Sequence, residues 1–189
     1  MGESKDILQG KNIILRGLEL SDVDELMKFW NNPELQQFFS EPRIASRDEE
    51  VEWIRSTWER RKKGDAYIFG IFLHDQNQYV GNVELRIVNR IAQRGTLGIA
   101  IFNPNYWNKG IGAEAVTLIL NFGFSSLNLK TVELEVFNFN KRAQQCYRNV
   151  GFVEVGRKRQ AHFANGQFND IILMDISSTE FRSGLEKRE

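Results

Sequence analysis

Cysteine, histidine and proline are scarce in this chain, and each scarcity removes a class of explanation. The single cysteine, Cys146, cannot close an intramolecular disulfide, which excludes a stapled secreted scaffold. Met1 to Lys11 is polar and has no apolar signal core, so a cytoplasmic protein is expected. The two histidines, His74 and His162, form no zinc-ligand spacing with each other or with the cysteine, and no metal is expected. With three prolines, no repeat and no low-complexity stretch, nothing marks a linker inside the 189 residues. We therefore expect one domain over 1–189, with a core of about 12–176 and a polar tail from Ser177 to Glu189 that is loose or helical at the surface. No apolar run is long enough to span a bilayer, so no membrane partner is expected. Net charge is absent too. The 25 basic and 25 acidic side chains cancel, and no overall field draws the chain to nucleic acid. What is present, 41% hydrophobic and 26% charged residues, suits a globular domain around one core.

Periodicity and punctuation divide that core. Asn12 to Arg16 reads as a strand, and Ser21-Asp22-Val23-Asp24 reads as a helix start with the Ser21 hydroxyl as cap. Asn31-Asn32-Pro33 stops this helix. Ser46 and Glu49 have the spacing of a capping box, and four cations, Arg60 to Lys63, precede Gly64 where they complement the negative helix end. Strands follow at Tyr67 to Leu73, Gln78 to Val88 and Thr96 to Phe102. A helix of about Gly110 to Ser125 has apolar residues on more than one face, as a buried helix does. Thr131 to Phe137 is a strand, Asn140 to Asn149 a short helix closed by Gly151, and Phe152 to Val155 and Phe168 to Ile176 are the last strands, joined through a turn at Asn165-Gly166. This order gives a mixed α/β sheet with helices on both faces.

The stretch from Asn103 to Ala115 carries the most chemistry. A strand runs into a loop, Trp107-Asn108-Lys109-Gly110-Ile111-Gly112-Ala113, and the loop opens the long helix. Unpaired N–H groups in a first helical turn attract phosphate oxygens, and residues without side chains let a ligand approach the backbone. The same letters satisfy the dinucleotide fingerprint G-x-G-x-x-A, with Glu133 or Glu135 at the distance of a ribose acid. Two features count against that reading: Asn103 to Lys109 separate strand from glycine, and too few parallel βαβ units surround the motif.

A second motif lies downstream, where Asn140, Ala143, Tyr147, Gly151 and Phe152 fit N-x-x-A-x-x-x-Y-x-x-x-G-F. Together with Gly110 and Gly112 it resembles the Gcn5-related N-acetyltransferase (GNAT) superfamily, in the branch of spermidine and ribosomal-protein N-terminal acetyltransferases. The order of elements agrees from roughly Asn12 to Ile176. Trp107 departs from the pattern, since it occupies a position that usually holds arginine or glutamine. The resemblance implies the GNAT fold, with a mixed, mainly antiparallel central sheet.

It also implies direct acetyl transfer from acetyl-CoA to an amine, with no acyl-enzyme, so Cys146 is expected to be structural. Backbone groups of Ala100, Ile101 and Phe102 would lie along the pantetheine arm, Trp107 to Ala113 would hold the pyrophosphate, and Asn140 would touch the pantetheine. Tyr147 would protonate the departing thiolate. Glu84 is the candidate base, with water as the other choice. The acceptor pocket would come from the first two helices and the last hairpin, where Glu34 and Glu41 are candidate substrate-binding residues beside Trp30, Phe38, Phe39 and Trp53. Carboxylates beside aromatics suit a cationic amine. A protein N-terminus leads a polyamine on the Tyr106-Trp107 pair. A catalytically silent acyl-CoA-binding protein is the non-enzyme alternative, and a homo-oligomer is compatible with the sequence.

Overall fold

The backbone places a single branching sheet at the centre of the chain. In the computed structural model, which describes residues 7–39, 44–164 and 166–186, eight strands run in the order β1-β2-β3-β4-β5-β6-β8-β7. They are β1 (Ile7–Gln9), β2 (Ile13–Arg16), β3 (Ala66–Leu73), β4 (Tyr79–Asn89), β5 (Arg94–Ile101), β6 (Thr131–Phe137), β7 (Val153–Ala164) and β8 (Gln167–Ser177). All neighbours are antiparallel except β5 and β6. That parallel pair is joined by Arg94↔Thr131, Gly95↔Val132 and Thr96↔Glu133, after which the two strands part. The expected mainly antiparallel sheet is present, and the parting of β5 from β6 sets everything that follows.

Alternation along the strands feeds two cores, one on each face. On one face Val83, Leu85, Leu97, Val132, Leu134 and Met174 pack against Ala115, Ile119 and Phe124 of α4 (Ile111–Ser125) and against Tyr147 and Val150 of α5 (Lys141–Val150). On the other, Leu26 of α1 (Val23–Trp30), Leu35 of α2 (Pro33–Gln36) and Ile54 of α3 (Arg47–Lys63) meet Ile68, Phe72, Tyr79 and Phe102. The capping box forms at α3, where Ser46 N donates to Glu49 and Glu49 N to the Ser46 hydroxyl. Gly64 closes that helix at a φ of 68°, in the left-handed region that favours glycine. Arg60, one of its four terminal cations, is not merely solvated: it pairs with Glu84 on β4.

Three local expectations change. Ser21 does not cap α1. It lies in a short 3₁₀ turn, Leu20–Asp22, in which the Asp22 carboxylate accepts from Glu19 N at 2.8 Å and from both terminal nitrogens of Arg16 at 2.9 Å. Asn32-Pro33 ends one helix and also starts another, because Asn32 Oδ1 accepts from Glu34 N and proline fits a first helical turn. The strand beginning near Val153 runs to Ala164, since an edge strand open to solvent can carry Arg157, Lys158 and Arg159 without an apolar signature. Asn165, in the hairpin turn, lies outside the described residues. The tail forms α6 (Ser178–Glu186), and its Phe181, 3% exposed, packs against Phe124 with ring centroids 5.4 Å apart. Among the described residues no helix is long and apolar enough to cross a membrane, and no group of three or more His, Cys, Asp or Glu is placed to hold a metal ion.

Candidate active site

The parting of β5 from β6 opens a cleft of about 1370 Å³. Ala100 to Phe102 form part of one wall, Trp107 to Ala113 the mouth, and Asn140 and Tyr147 the opposite wall. Eleven positions spread over forty residues of sequence are thus gathered by one gap in the sheet, together with the expected tyrosine.

Each wall has a local cause. Asn108, at φ 57°, and Gly110, at φ 79°, turn the chain into α4, and a side chain added at Gly110 would meet nothing within 4 Å. Gly110 is therefore required by conformation rather than by packing. A Cβ at Gly112 would lie 3.6 Å from the Cys146 sulfur, an ordinary contact between α4 and α5. Asn140 caps α5, its Oδ1 accepting from Ala143 N at 3.1 Å, so the Nδ2 donors remain for a ligand. Trp107 Nε1 donates to the Ile101 carbonyl at 2.8 Å, which accounts for the aromatic residue at this position: it ties the loop back onto β5.

Backbone parity distinguishes the three wall residues. Phe102 N donates to Val80 O at 2.8 Å, toward β4. Directions alternate along a strand, so the N–H of Ile101, and that of Ile99 two residues before it, point into the gap. By the same alternation the N–H groups of Ala100 and Phe102 face β4, so of the three wall residues Ile101 turns its N–H into the gap.

Burial sets the titrating groups. Tyr147, 7% exposed, packs edge-on against Phe152 at 5.8 Å, and burial, followed by the neighbouring Cys146, pushes its phenol well above the usual range. Burial also pushes the Cys146 thiol up to about 11. A thiol so raised is protonated at neutral pH and is a poor nucleophile.

The acidic candidates stand differently. Glu84 does not line the cleft. It lies opposite Gly98, which does, and accepts a hydrogen bond from Arg60 at 3.0 Å. Glu34 is exposed on α2, outside the lining, although Leu35, Phe38 and Phe39 beside it are part of the wall. Glu41 lies outside the described residues. Trp30 belongs to the second core, packed on Phe39, Trp53 and Phe102, and neither Trp30 nor Trp53 lines the cleft.

Sequence reasoning passed over Arg142, Gln144 and Asp175, and it weighed Glu133 and Glu135 only as ribose acids. Arg142, at a variable position of the N-x-x-A motif, lines the cleft with its guanidinium 3.5 Å above the Trp107 ring, and burial lowers its proton affinity. Gln144, 2% exposed, donates to the carbonyls of Phe137 and Asn138 and pins the β6–α5 turn. Glu133, Glu135 and Asp175 line the far end of the cleft, with Glu133 opposite Asp175 across β6 and β8. Burial, then Glu180 and Glu133, raises the Asp175 carboxyl. Only the strand register, which puts these side chains on one face, could have found them.

A strand that stops pairing, a glycine turn and a helix start at the mouth of the gap, and a buried tyrosine opposite define an acyl-CoA-dependent transferase site. The family described as "Acetyltransferase (GNAT) domain" matches residues 12–153, and the chain belongs to it. It is 29% identical to spermidine N(1)-acetyltransferase of Escherichia coli over 90% of this chain and 88% of that one. The crystal structure of spermidine N-acetyltransferase from Vibrio cholerae in complex with CoA and spermine superposes with a TM-score of 0.81, at 26% identity over 92% of this chain and 99% of that one. Ribosomal-protein-S5-alanine acetyltransferase from Vibrio fischeri shares the fold, with a TM-score of 0.81 at 19% identity over 93% and 98%. The protein is an acetyl-CoA-dependent N-acetyltransferase that acts on amines.

Proposed function

We propose that the chain acetylates a cationic primary amine of polyamine type by direct attack on the thioester. One observation carries the chemistry: Tyr147 and the inward-facing N–H groups of Ile99 and Ile101 line the same gap. Main-chain N–H groups of the first turn of α4 suit the coenzyme pyrophosphate, and Lys109 and Arg142 add positive charge at the mouth. The neutral amine attacks the acetyl carbonyl carbon, forming the C–N bond. The Ile101 N–H receives the developing oxyanion. As the C–S bond breaks, Tyr147 gives its proton to the thiolate, and the proton shed by the newly acylated nitrogen restores the phenol.

An alkylamine with a pKa near ~10 must first lose a proton. Glu84 is our candidate acceptor of that proton, acting through water across Gly98, where a Cβ would meet nothing within 4 Å. Its hydrogen bond from Arg60 fixes the position of the carboxylate on that face. Glu84→Gln should therefore slow turnover near pH 7 and matter less near pH 10; equal loss at both would return the role to water alone.

For the acceptor, the order read from sequence changes. The Tyr106-Trp107 pair favoured a protein N-terminus, but Trp107 is engaged with Ile101 and Arg142, which relates it to the coenzyme loop. The similarity to spermidine acetyltransferases, and the carboxylates at the far end of the cleft, support the polyamine. An N-terminal peptide is the second reading, favoured by the exposed Phe163–Phe168 pair on the β7–β8 hairpin. Thiol release with spermidine and with short peptides at matched concentration decides between them. A tenfold preference in kcat/KM for spermidine is expected, and the reverse preference would restore the N-terminus.

A further inference from the structure

Within the cleft a lysine of the chain is paired with a carboxylate of the open strands. Lys158 of β7 reaches over β8 and pairs with Glu135 of β6. The strand register makes the reach explicit, since Glu135 stands opposite Leu173 and Lys158 opposite Ile171. All four side chains line the cleft. Glu135 also has a particular place on its strand. The β5–β6 pairing ends at Thr96↔Glu133, and Glu135 is the next residue on that face, the first carboxylate past the fork.

We propose that Glu135 binds a cationic centre of the acceptor other than the reacting amine, and that Lys158 is an internal stand-in which the acceptor displaces. This rests on the cationic-amine reading above and gives it a residue and a substrate class: amines that carry a second positive charge. Three observations support the exchange. Both partners are about half exposed, at 50% and 48%, and an exposed pair between long side chains contributes little net stability. One ammonium therefore replaces another at small cost. Leu173 and Ile171 lie beneath the pair and offer apolar surface to a methylene chain. The neighbouring carboxylates are not equivalent to Glu135: Glu133 is paired with Arg94, and Asp175 is directly opposite Glu133, so that Lys158 with Glu135 forms the ion pair farther along the open strands.

The test is steady-state kinetics with spermidine, and with a monoamine of similar length, on wild type, Glu135→Gln, Lys158→Met and the double variant. Glu135→Gln should raise KM for spermidine fivefold or more, while kcat and the KM for acetyl-CoA stay within twofold. Lys158→Met should lower KM for spermidine, and the double variant should match Glu135→Gln, because the stand-in has nothing left to occupy. The monoamine should respond to neither change. Thermal unfolding of each variant guards against a folding defect, and a half-exposed pair should shift the midpoint only slightly. The inference is overturned if spermidine KM is indifferent to Glu135→Gln, or if Lys158→Met raises it. If spermidine is not a substrate of the wild type, the polyamine reading falls. The Glu135 assignment is then decided by the same variants on an N-terminal Ser-Lys peptide against Ser-Ala, where loss of the preference for Ser-Lys in Glu135→Gln upholds it and an unchanged preference sinks it.

Discussion

The Trp107 indole donates to the Ile101 carbonyl across the five residues that separate strand β5 from the glycine loop. Carbonyl and N–H of one strand residue point to the same side, so this bond also orients the Ile101 N–H into the gap. One side chain thereby couples the loop assigned to phosphate with the group assigned to the oxyanion.

Gly110 offers the direct test of that loop. Its φ of 79° lies where a side chain costs roughly 1–2 kcal/mol, more for a branched one. Gly110→Val should weaken coenzyme A binding by tenfold or more in calorimetry, with the circular dichroism of the sheet unchanged. Wild-type affinity in a folded variant would detach the coenzyme from this loop.

Tyr147→Phe keeps the ring that packs on Phe152 and removes only the hydroxyl. We expect kcat to fall by about 10²–10⁴, coenzyme affinity to hold and the unfolding temperature to change little. Because burial raises this phenol, it stays protonated through neutral and mildly alkaline pH, and the wild type should show no loss of kcat there from this group. Unaltered turnover in the variant would leave Tyr147 a packing residue.

Cys146→Ala should retain turnover, since a protonated thiol forms no acyl-enzyme. The substitution should act on stability instead. The thiol is raised from 9.0 to about 11 in the folded chain. A neutral acid whose folded value is raised contributes stability that is present below the unfolded value and lost as pH rises through the folded one. Wild type should therefore lose more stability than Cys146→Ala between pH 9 and 11 in denaturant titrations. Abolished activity with acetyl-cysteine trapped by mass spectrometry would point to a two-step transfer.

Much of this was legible in the chain itself, and the reasons are local. The capping box at Ser46, the helix end before Gly64 and the apolar stripe from Ala143 to Val150 depend on residues close in sequence, and all three are present. The glycine loop and Tyr147 were found because two motifs recur at a known separation. What escaped depends on long-range register. Lys158 meets Glu135 only because β8 passes between their strands, and Arg142 stacks on Trp107 only because α5 faces the mouth of the cleft. The length of β7 was hidden because an edge strand with charged side chains has no apolar alternation to read.

The three-rung junction between β5 and β6 has a further mechanical meaning. Beyond it, among the described residues, main-chain groups of the two halves face the gap without a strand partner; the Trp107 indole holds the Ile101 carbonyl, and the others are left to water until something better arrives. A bound chain with amides of its own can replace that water and act as a strand contributed by the ligand. Coenzyme binding would then be partly a folding event, which knits two half-sheets into one and slows amide exchange on both sides of the seam.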